Sequence, residues 1–231
     1  MAMTDSGRVI SVRVGLVRTH AMPEWDHSEK RTWQTAYQKD EVAGPVHAGP
    51  LGLAGDAVYS TQVHGGVHMA VLMYAASHYP AWREELGRGD TGPDAFCPGA
   101  FGENLCVEHF DEANVCIGDE FTLGDVRLQV SQPRGPCSNI SRYWGIPTLL
   151  KRVSETHRTG WYLRVIQDGT ITSGQMLTRV AQPHPEWNVR RVSMAASAPE
   201  SDAQFVRELA NSEVLSPRWR ESFVAKAARL A

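Results

Sequence analysis

No apolar run among the 231 residues approaches the ~20 needed to cross a bilayer, so no membrane partner is expected. A charge of one sign is also missing. The formal net charge is −3, with 23 Lys and Arg against 26 Asp and Glu, and the basic residues are scattered singly and in pairs. That pattern excludes the basic face of a nucleic-acid binder. Cysteine is scarce: the four residues Cys97, Cys106, Cys116 and Cys137 stand too far apart for the Cys-x-x-Cys spacing of zinc sites or redox pairs. No cysteine run suits an iron–sulfur cluster, and no Gly-x-Gly-x-x-Gly turn joins a strand to a helix as a flavin or nicotinamide site requires.

The N-terminal Met1-Ala2-Met3-Thr4-Asp5 has neither the charged nor the apolar region of a signal peptide, so a cytoplasmic protein with free thiols is expected. The length allows one large or two small domains with a core that needs no staples.

What is present reads as strands and turns. Val9 to Val17 alternates; Val42–Val46 and Leu51–Asp56 are short pieces cut by Gly and Pro; and Trp33–Lys39 is a strand or a loop. Ala70–Trp82 predicts a strand feeding a helix through about Leu86, followed by a Gly-, Pro- and Asp-rich loop over 87–100. From Val115 to Val130 the apolar residues recur with period two, interrupted by Gly118-Asp119 and Gly124-Asp125, each suited to a type II′ hairpin. Such a meander favours a barrel. Pro147 opens a helix to about His157, and Gly160–Ile166 returns to strand. The fold class is thus mainly β with helices (α+β).

From about Val189 the pattern becomes helical. Ser201-Asp202-Ala203-Gln204 has capping-box spacing before Phe205, Val206 and Leu209, while Ser216-Pro217 starts a helix whose Trp219, Phe223, Ala227 and Leu230 share a face. Val189–Ala196 is a third candidate, and Gln182–Asn188, with two prolines, is the expected linker. The division is a β body over 1–182 and a helical domain over 183–231. Its apolar faces must dock on the barrel or across a homodimer interface.

Cys137 carries the most chemistry. It ends Gln132-Pro133-Arg134-Gly135-Pro136-Cys137, where two prolines remove backbone donors and Gly135 permits an unusual backbone course, so no sheet ladder is expected to continue. Arg134 would favour thiolate, which serves molybdenum, copper(I), zinc or nucleophilic attack. The competing reading is a buried cysteine packing as a small hydrophobe. His64-Gly65-Gly66 offers a donor or ligand beside a backbone that a ligand can approach closely, or else an ordinary Gly-Gly hairpin. Phe101-Gly102-Glu103-Asn104-Leu105 sets a carboxylate and an amide by a glycine, with a solvated turn as the alternative. His64 and His68, four apart, would pair on a metal only on a helix, which Gly65-Gly66 disfavours.

In order, Gly55-Asp56, His64-Gly65-Gly66, Phe101–Leu105, Ile117-Gly118-Asp119 and Gln132–Cys137 resemble the MOSC domain, named for the C-terminal domain of molybdenum cofactor sulfurase. With Gly160–Val165 and the terminal helices, residues 8–228 are similar to the YiiM-like branch, a MOSC β-barrel followed by three helices. The resemblance implies a molybdenum cofactor (molybdopterin), Cys137 as the catalytic residue and metal ligand, and reduction of N-hydroxylated compounds such as hydroxylamino-purines. Lys39, Arg134 and the Gly65-Gly66 turn are the candidates for the pterin phosphate, and His64 and Asn104 for donors to the pterin or an oxo group. Without a flavin or nicotinamide motif, electrons would come from a separate reductase, a flavoprotein by expectation. Two positions depart from the family pattern: Val67-His68-Met69 where a basic residue is common, and Cys106 where a small hydroxyl residue is usual, either a packing substitution or a second thiol near the site. The rivals are a persulfide sulfur carrier or cofactor-delivery protein without reductase activity, and a cysteine hydrolase in which His64 activates Cys137.

Overall fold

The computed structural model describes residues 5–92 and 94–230; Met1 to Thr4, read above for a leader, lie outside them. Six strands come first: β1 (Ser6–Val14), β2 (Arg18–Ala21), β3 (Thr32–Thr35), β4 (Asp40–Glu41), β5 (Val46–Gly49) and β6 (Gly52–Leu53). A 3₁₀ turn at Val67–Met69 leads into β7 (Val71–Ala75), α1 (His78–Leu86) and β8 (Leu105–Val107). β9 (Glu120–Leu123), β10 (Val126–Pro133), α2 (Asn139–Trp144), α3 (Leu149–Thr156), β11 (Trp161–Gln167), β12 (Gly169–Ile171) and β13 (Met176–Ala181) complete the body. α4 (Val189–Ser197), α5 (Ala203–Ala210) and α6 (Pro217–Leu230) follow.

Seven strands close into a barrel in the order β1-β13-β9-β10-β11-β7-β8 and back to β1, with β4 added at the edge of β1. Every neighbour in the ring is antiparallel except β7 and β8, which are parallel and joined through α1, as a parallel pair must be by a crossover. Alternation puts Val9, Leu105, Phe121, Leu123, Leu128, Val130 and Leu163 inside, all essentially without exposure. The string Gly87-Arg88-Gly89-Asp90-Thr91-Gly92 has dinucleotide-fingerprint spacing, but it follows the end of α1 and leads to no helix.

Leu123 pairs with Val126 across Gly124-Asp125, and Gly124 alone has positive φ (59°), the pattern of the expected II′ turn. Gly118-Asp119 is not a hairpin. The Gly118 amide donates to the Val130 carbonyl and the Val130 amide to that of Asp119, so this pair sits against β10. Val115–Ile117 turns instead to the segment before α4: Ile117 N–H donates to Trp187 O (3.0 Å) and Val189 N–H to Val115 O (2.8 Å). The stretch read as a linker is therefore a packed strap, with Trp187 buried and stacked on His184 at 4.0 Å.

Trp187, Val189, Val192, Phe205, Val206, Leu209 and Phe223 join the barrel residues in one apolar cluster, so the helices dock on the barrel of their own chain. Asp202, not Ser201, caps α5 by accepting from the Gln204 and Phe205 amides; Ser201 instead donates to the Ala195 carbonyl. A second cluster, Tyr37, Tyr74, Tyr79, Trp82, Phe96, Phe101, Ile140, Leu149 and Val153, lies outside the barrel, with Tyr74 and Phe101 stacked at 4.3 Å. α2 rests on it through Ile140 and orients the turn that precedes it. No helix among the described residues is long and apolar enough to cross a membrane.

Candidate functional site

A cleft of about 730 Å³ gathers Lys39, Asp56, His64, Gly65, Asn104, Arg134, Gly135, Cys137 and Tyr162. β10 delivers the Cys137 turn to it. The ladder runs further than the prolines suggested: Pro133 still faces Trp161, and the Arg134 amide donates to the Gly160 carbonyl at 3.0 Å. The second correction concerns Gly135, whose φ is not positive and whose missing Cβ would meet nothing within 4 Å. Glycine there leaves room in the cleft rather than permitting a strained turn.

Cys137 sits half-buried between the end of β10 and the start of α2. Burial alone would push its thiol up. A hydrogen bond from His64, the charge of Arg134 and the Asn139 amide at the head of α2 outweigh it, and the pKa is lowered. Arg134 is itself buried, and its Nη1 has no hydrogen-bond partner. Burial works against its charge, but the nearby Tyr37, Tyr162 and Cys137 side chains more than offset that. A buried guanidinium nitrogen left without an acceptor costs free energy unless a ligand supplies one.

Lys39 is differently placed. It is paired with Asp56, which also accepts from the Gly15 amide (2.7 Å) and from Asn104 Nδ2 (2.8 Å). Burial lowers the Lys39 pKa against the opposing pull of Asp56. Its charge is balanced within the chain, so Arg134 is the buried cation of the lining that is left uncompensated; Lys30, also on the lining, is exposed to solvent. Asn104 is likewise engaged: Oδ1 accepts from the Leu72 amide (3.0 Å), and Nδ2 donates to Asp56 and to the Arg13 carbonyl (3.2 Å). It positions Asp56 and has no free donor for a ligand, contrary to the role expected from its motif. Gly65 lines the cleft with positive φ (75°), while Gly66 caps the 3₁₀ turn and lines a smaller neighbouring cleft; the pair is not a hairpin.

The Phe101–Leu105 motif is not a solvated turn. Glu103 is fully buried and accepts from the Gly99, Phe101 and Tyr79 donors, so its carboxylate holds the 97–103 loop together. Gly102 has φ +70°, and a Cβ there would stand 2.9 Å from the Tyr37 carbonyl oxygen, so this close approach needs glycine. Cys106 is a core thiol that burial pushes well up, and Cys116 is raised to about 12 by burial and Asp119. Neither lines the cleft. His68 turns away to accept from Arg164 Nε at 2.8 Å. Among the described residues no three His, Cys, Asp or Glu side chains gather at metal-binding distance.

Sequence reasoning missed four features of the site. Asp56 was signalled by the Gly55-Asp56 motif but given no role. Tyr37 and Tyr162 flank Arg134, and Asp26 binds Arg142 at 2.7 Å, tying the 22–31 loop to α2 beside the cleft. Only the fold brings these together. One thiol of lowered pKa, one buried unpaired guanidinium and no complete ligand set among the described residues fit a metal that brings soft ligands of its own, as on a pterin dithiolene carrying a phosphate.

Thiol labelling checks the electrostatics. Alkylation of Cys137 is expected to have its pH midpoint below the ordinary thiol value of about 8.5. Arg134→Gln should move it upward, because it removes a charge that favours thiolate. Cys106 and Cys116 should stay unlabelled in the folded protein. An ordinary or raised midpoint for Cys137, read by mass spectrometry, would refute the assignment.

Comparison with known proteins identifies the family of the fold. The MOSC domain profile matches residues 60–178. The uncharacterized protein YflK of Bacillus subtilis is 35% identical over 76% of this chain and 77% of its own length. Protein YiiM of Escherichia coli is 32% identical over 80% and 81%. A Gibberella moniliformis protein named Reductase is 36% identical over 83% of this chain, which spans about a third (32%) of that protein's length. The crystal structure of YiiM from Geobacillus stearothermophilus superposes with a TM-score of 0.77 at 29% identity, over 96% of this chain and 99% of that one. The matched profile, these relatives and the shared barrel place the chain in the MOSC domain family.

Proposed function

We propose that this protein is a molybdenum-cofactor-dependent reductase that converts N-hydroxylated compounds of the hydroxylamino-purine or amidoxime type to the parent amine or amidine. The observation that carries the reading is a lowered-pKa thiol, Cys137, beside a buried guanidinium that lacks an acceptor in the same cleft. The name of the Gibberella relative supports a reductase.

For a hydroxylamine the overall reaction is R–NHOH + 2 e⁻ + 2 H⁺ → R–NH₂ + H₂O. The cofactor, when bound, supplies the two-electron chemistry. The chain's residues bind and orient. Cys137 Sγ would be the metal ligand, its thiolate form favoured by His64, Arg134 and the Asn139 amide. Arg134 Nη1 would meet the anionic part of the cofactor, and the open backbone at Gly135 would let a flat ring system approach. Lys39, Asp56 and Asn104 hold the cleft wall rigid. Electrons come from a separate flavoprotein reductase.

Protein made in cells competent for cofactor synthesis is expected to hold near-stoichiometric molybdenum. It should reduce a hydroxylamino-purine or an amidoxime with an artificial reductant or a flavoprotein partner, and fail with NADPH alone. Turnover with NADPH and no partner would overturn the two-component scheme. A chain without molybdenum in every preparation would shift the reading to a persulfide carrier.

A further inference from the structure

A second cleft, of about 240 Å³, shares His64, Gly65 and Met69 with the first and lies between the Thr61–Met69 segment and the start of α6. Its lining contains no Asp or Glu. Donors, by contrast, converge on it. α6 begins at Pro217, and the following Arg218 and Trp219 amides have no acceptor among the described residues. A serine ahead of a helix ordinarily closes on one of these amides. Ser216 does not: it lines the cleft at 2% exposure, and its Oγ has no partner at all.

Three side chains add to this. Gln132, from the motif that ends at Cys137, contributes an almost buried amide at 5% exposure. His68 accepts from Arg164 Nε through Nδ1, so its own proton is on Nε2 and available to donate. Arg218 reaches across the cleft to the Val63 carbonyl at 3.2 Å and brings a full positive charge. An opening helix turn with free amides, an unpaired buried hydroxyl, a guanidinium and no carboxylate is complementary to an oxyanion.

We propose that this cleft is a phosphate-type oxyanion site, separate from the Cys137 cleft and adjoining it through His64. The oxyanion could be carried by a free phosphorylated small molecule or by the phosphate of a cofactor whose ring system lies in the larger cleft; the chemistry recognised is the same. The proposal does not depend on the molybdenum reading, because the cofactor-free chain can be tested with inorganic phosphate.

The experiment is a calorimetric titration of the full-length chain with inorganic phosphate at fixed ionic strength, with Trp219 fluorescence as a second readout. Saturable binding is expected, with one site per chain in Arg134→Gln protein, where the larger cleft has lost its unpaired guanidinium. Arg218→Glu and Ser216→Ala should each weaken it at least about tenfold, the size of one lost charge-assisted hydrogen bond. Arg134→Gln should leave the component that is sensitive to Arg218→Glu unchanged, because it lies in the other cleft. Arg218 is exposed, so its variant should keep the wild-type melting midpoint and report on binding alone. Absence of saturable binding, or binding indifferent to Arg218→Glu, would overturn the site, as would binding abolished only by Arg134→Gln. The molybdenum content of Ser216→Ala then separates the sources: a fall identifies a cofactor phosphate, and an unchanged value with phosphate binding lost identifies a separate ligand.

Discussion

Cys137→Ser is expected to yield a folded protein that retains almost no molybdenum and loses reductase activity at least about a hundredfold, beyond the 10–100-fold that losing an outer partner of a metal ligand costs. A serine hydroxyl does not ionise at neutral pH, and its oxygen is hard where the thiolate is soft. The side chain faces the cleft, so the substitution should change stability by no more than about 0.5 kcal/mol, the range of sites without buried contacts. Cys106→Ser supplies the contrast. That position is in the core, where a hydroxyl without a partner costs about 1–3 kcal/mol, so its melting midpoint should fall while the folded fraction keeps its metal. Metal analysis and melting curves on both variants decide the matter. Undiminished molybdenum in Cys137→Ser would remove Cys137 as the ligand.

Ending the chain after Asn188 is expected to produce an aggregation-prone barrel that binds a hydrophobic dye and melts far below the full-length protein. α4 packs on β10, and α5 and α6 pack on each other. Val189, Val192, Phe205, Val206, Leu209 and Phe223 are buried in the same cluster as Phe121 and Val130. Burying each such side chain stabilises by about 1.5–3 kcal/mol, so the six together contribute on the order of 10 kcal/mol. That matches the whole net stability of an ordinary domain, about 5–15 kcal/mol. Helices of 8 and 9 residues such as α5 and α4 are also marginal by themselves. A soluble truncation with an unchanged melting midpoint would show that the tail is dispensable.

Much of this was legible locally. The period-two run from Phe121 to Val130 is a hairpin because alternation and a Gly-Asp turn are local properties, and each strand needs only a partner of matching pattern. The strand-to-helix change after Ala70 and the helix start at Ser216-Pro217 follow from apolar spacing and from proline at the first helical position. Cys137 and Arg134 stood out because a short Pro- and Gly-rich turn keeps them close whatever the rest of the chain does.

Longer-range relations were not legible, because backbone groups choose partners that the sequence does not order. The Val115–Ile117 segment found Trp187 and Val189 rather than a hairpin neighbour, and so converted an expected linker into a strap. α2 was missed: its six residues carry too little apolar periodicity, and it forms where Ile140 can dock on the second cluster. Its first amide is one of the groups that lower the Cys137 pKa. The roles of Lys39 and Asn104 were decided the same way, by Asp56, which closes a three-residue network across 65 positions of sequence between Lys39 and Asn104. By itself the sequence determined the barrel's strand pattern, the helical tail and the thiol–guanidinium pair. Tertiary structure alone decided that a buried guanidinium is left unpaired in the cleft and which donors remain free, because each buried polar group is satisfied by whatever the closed barrel brings within reach.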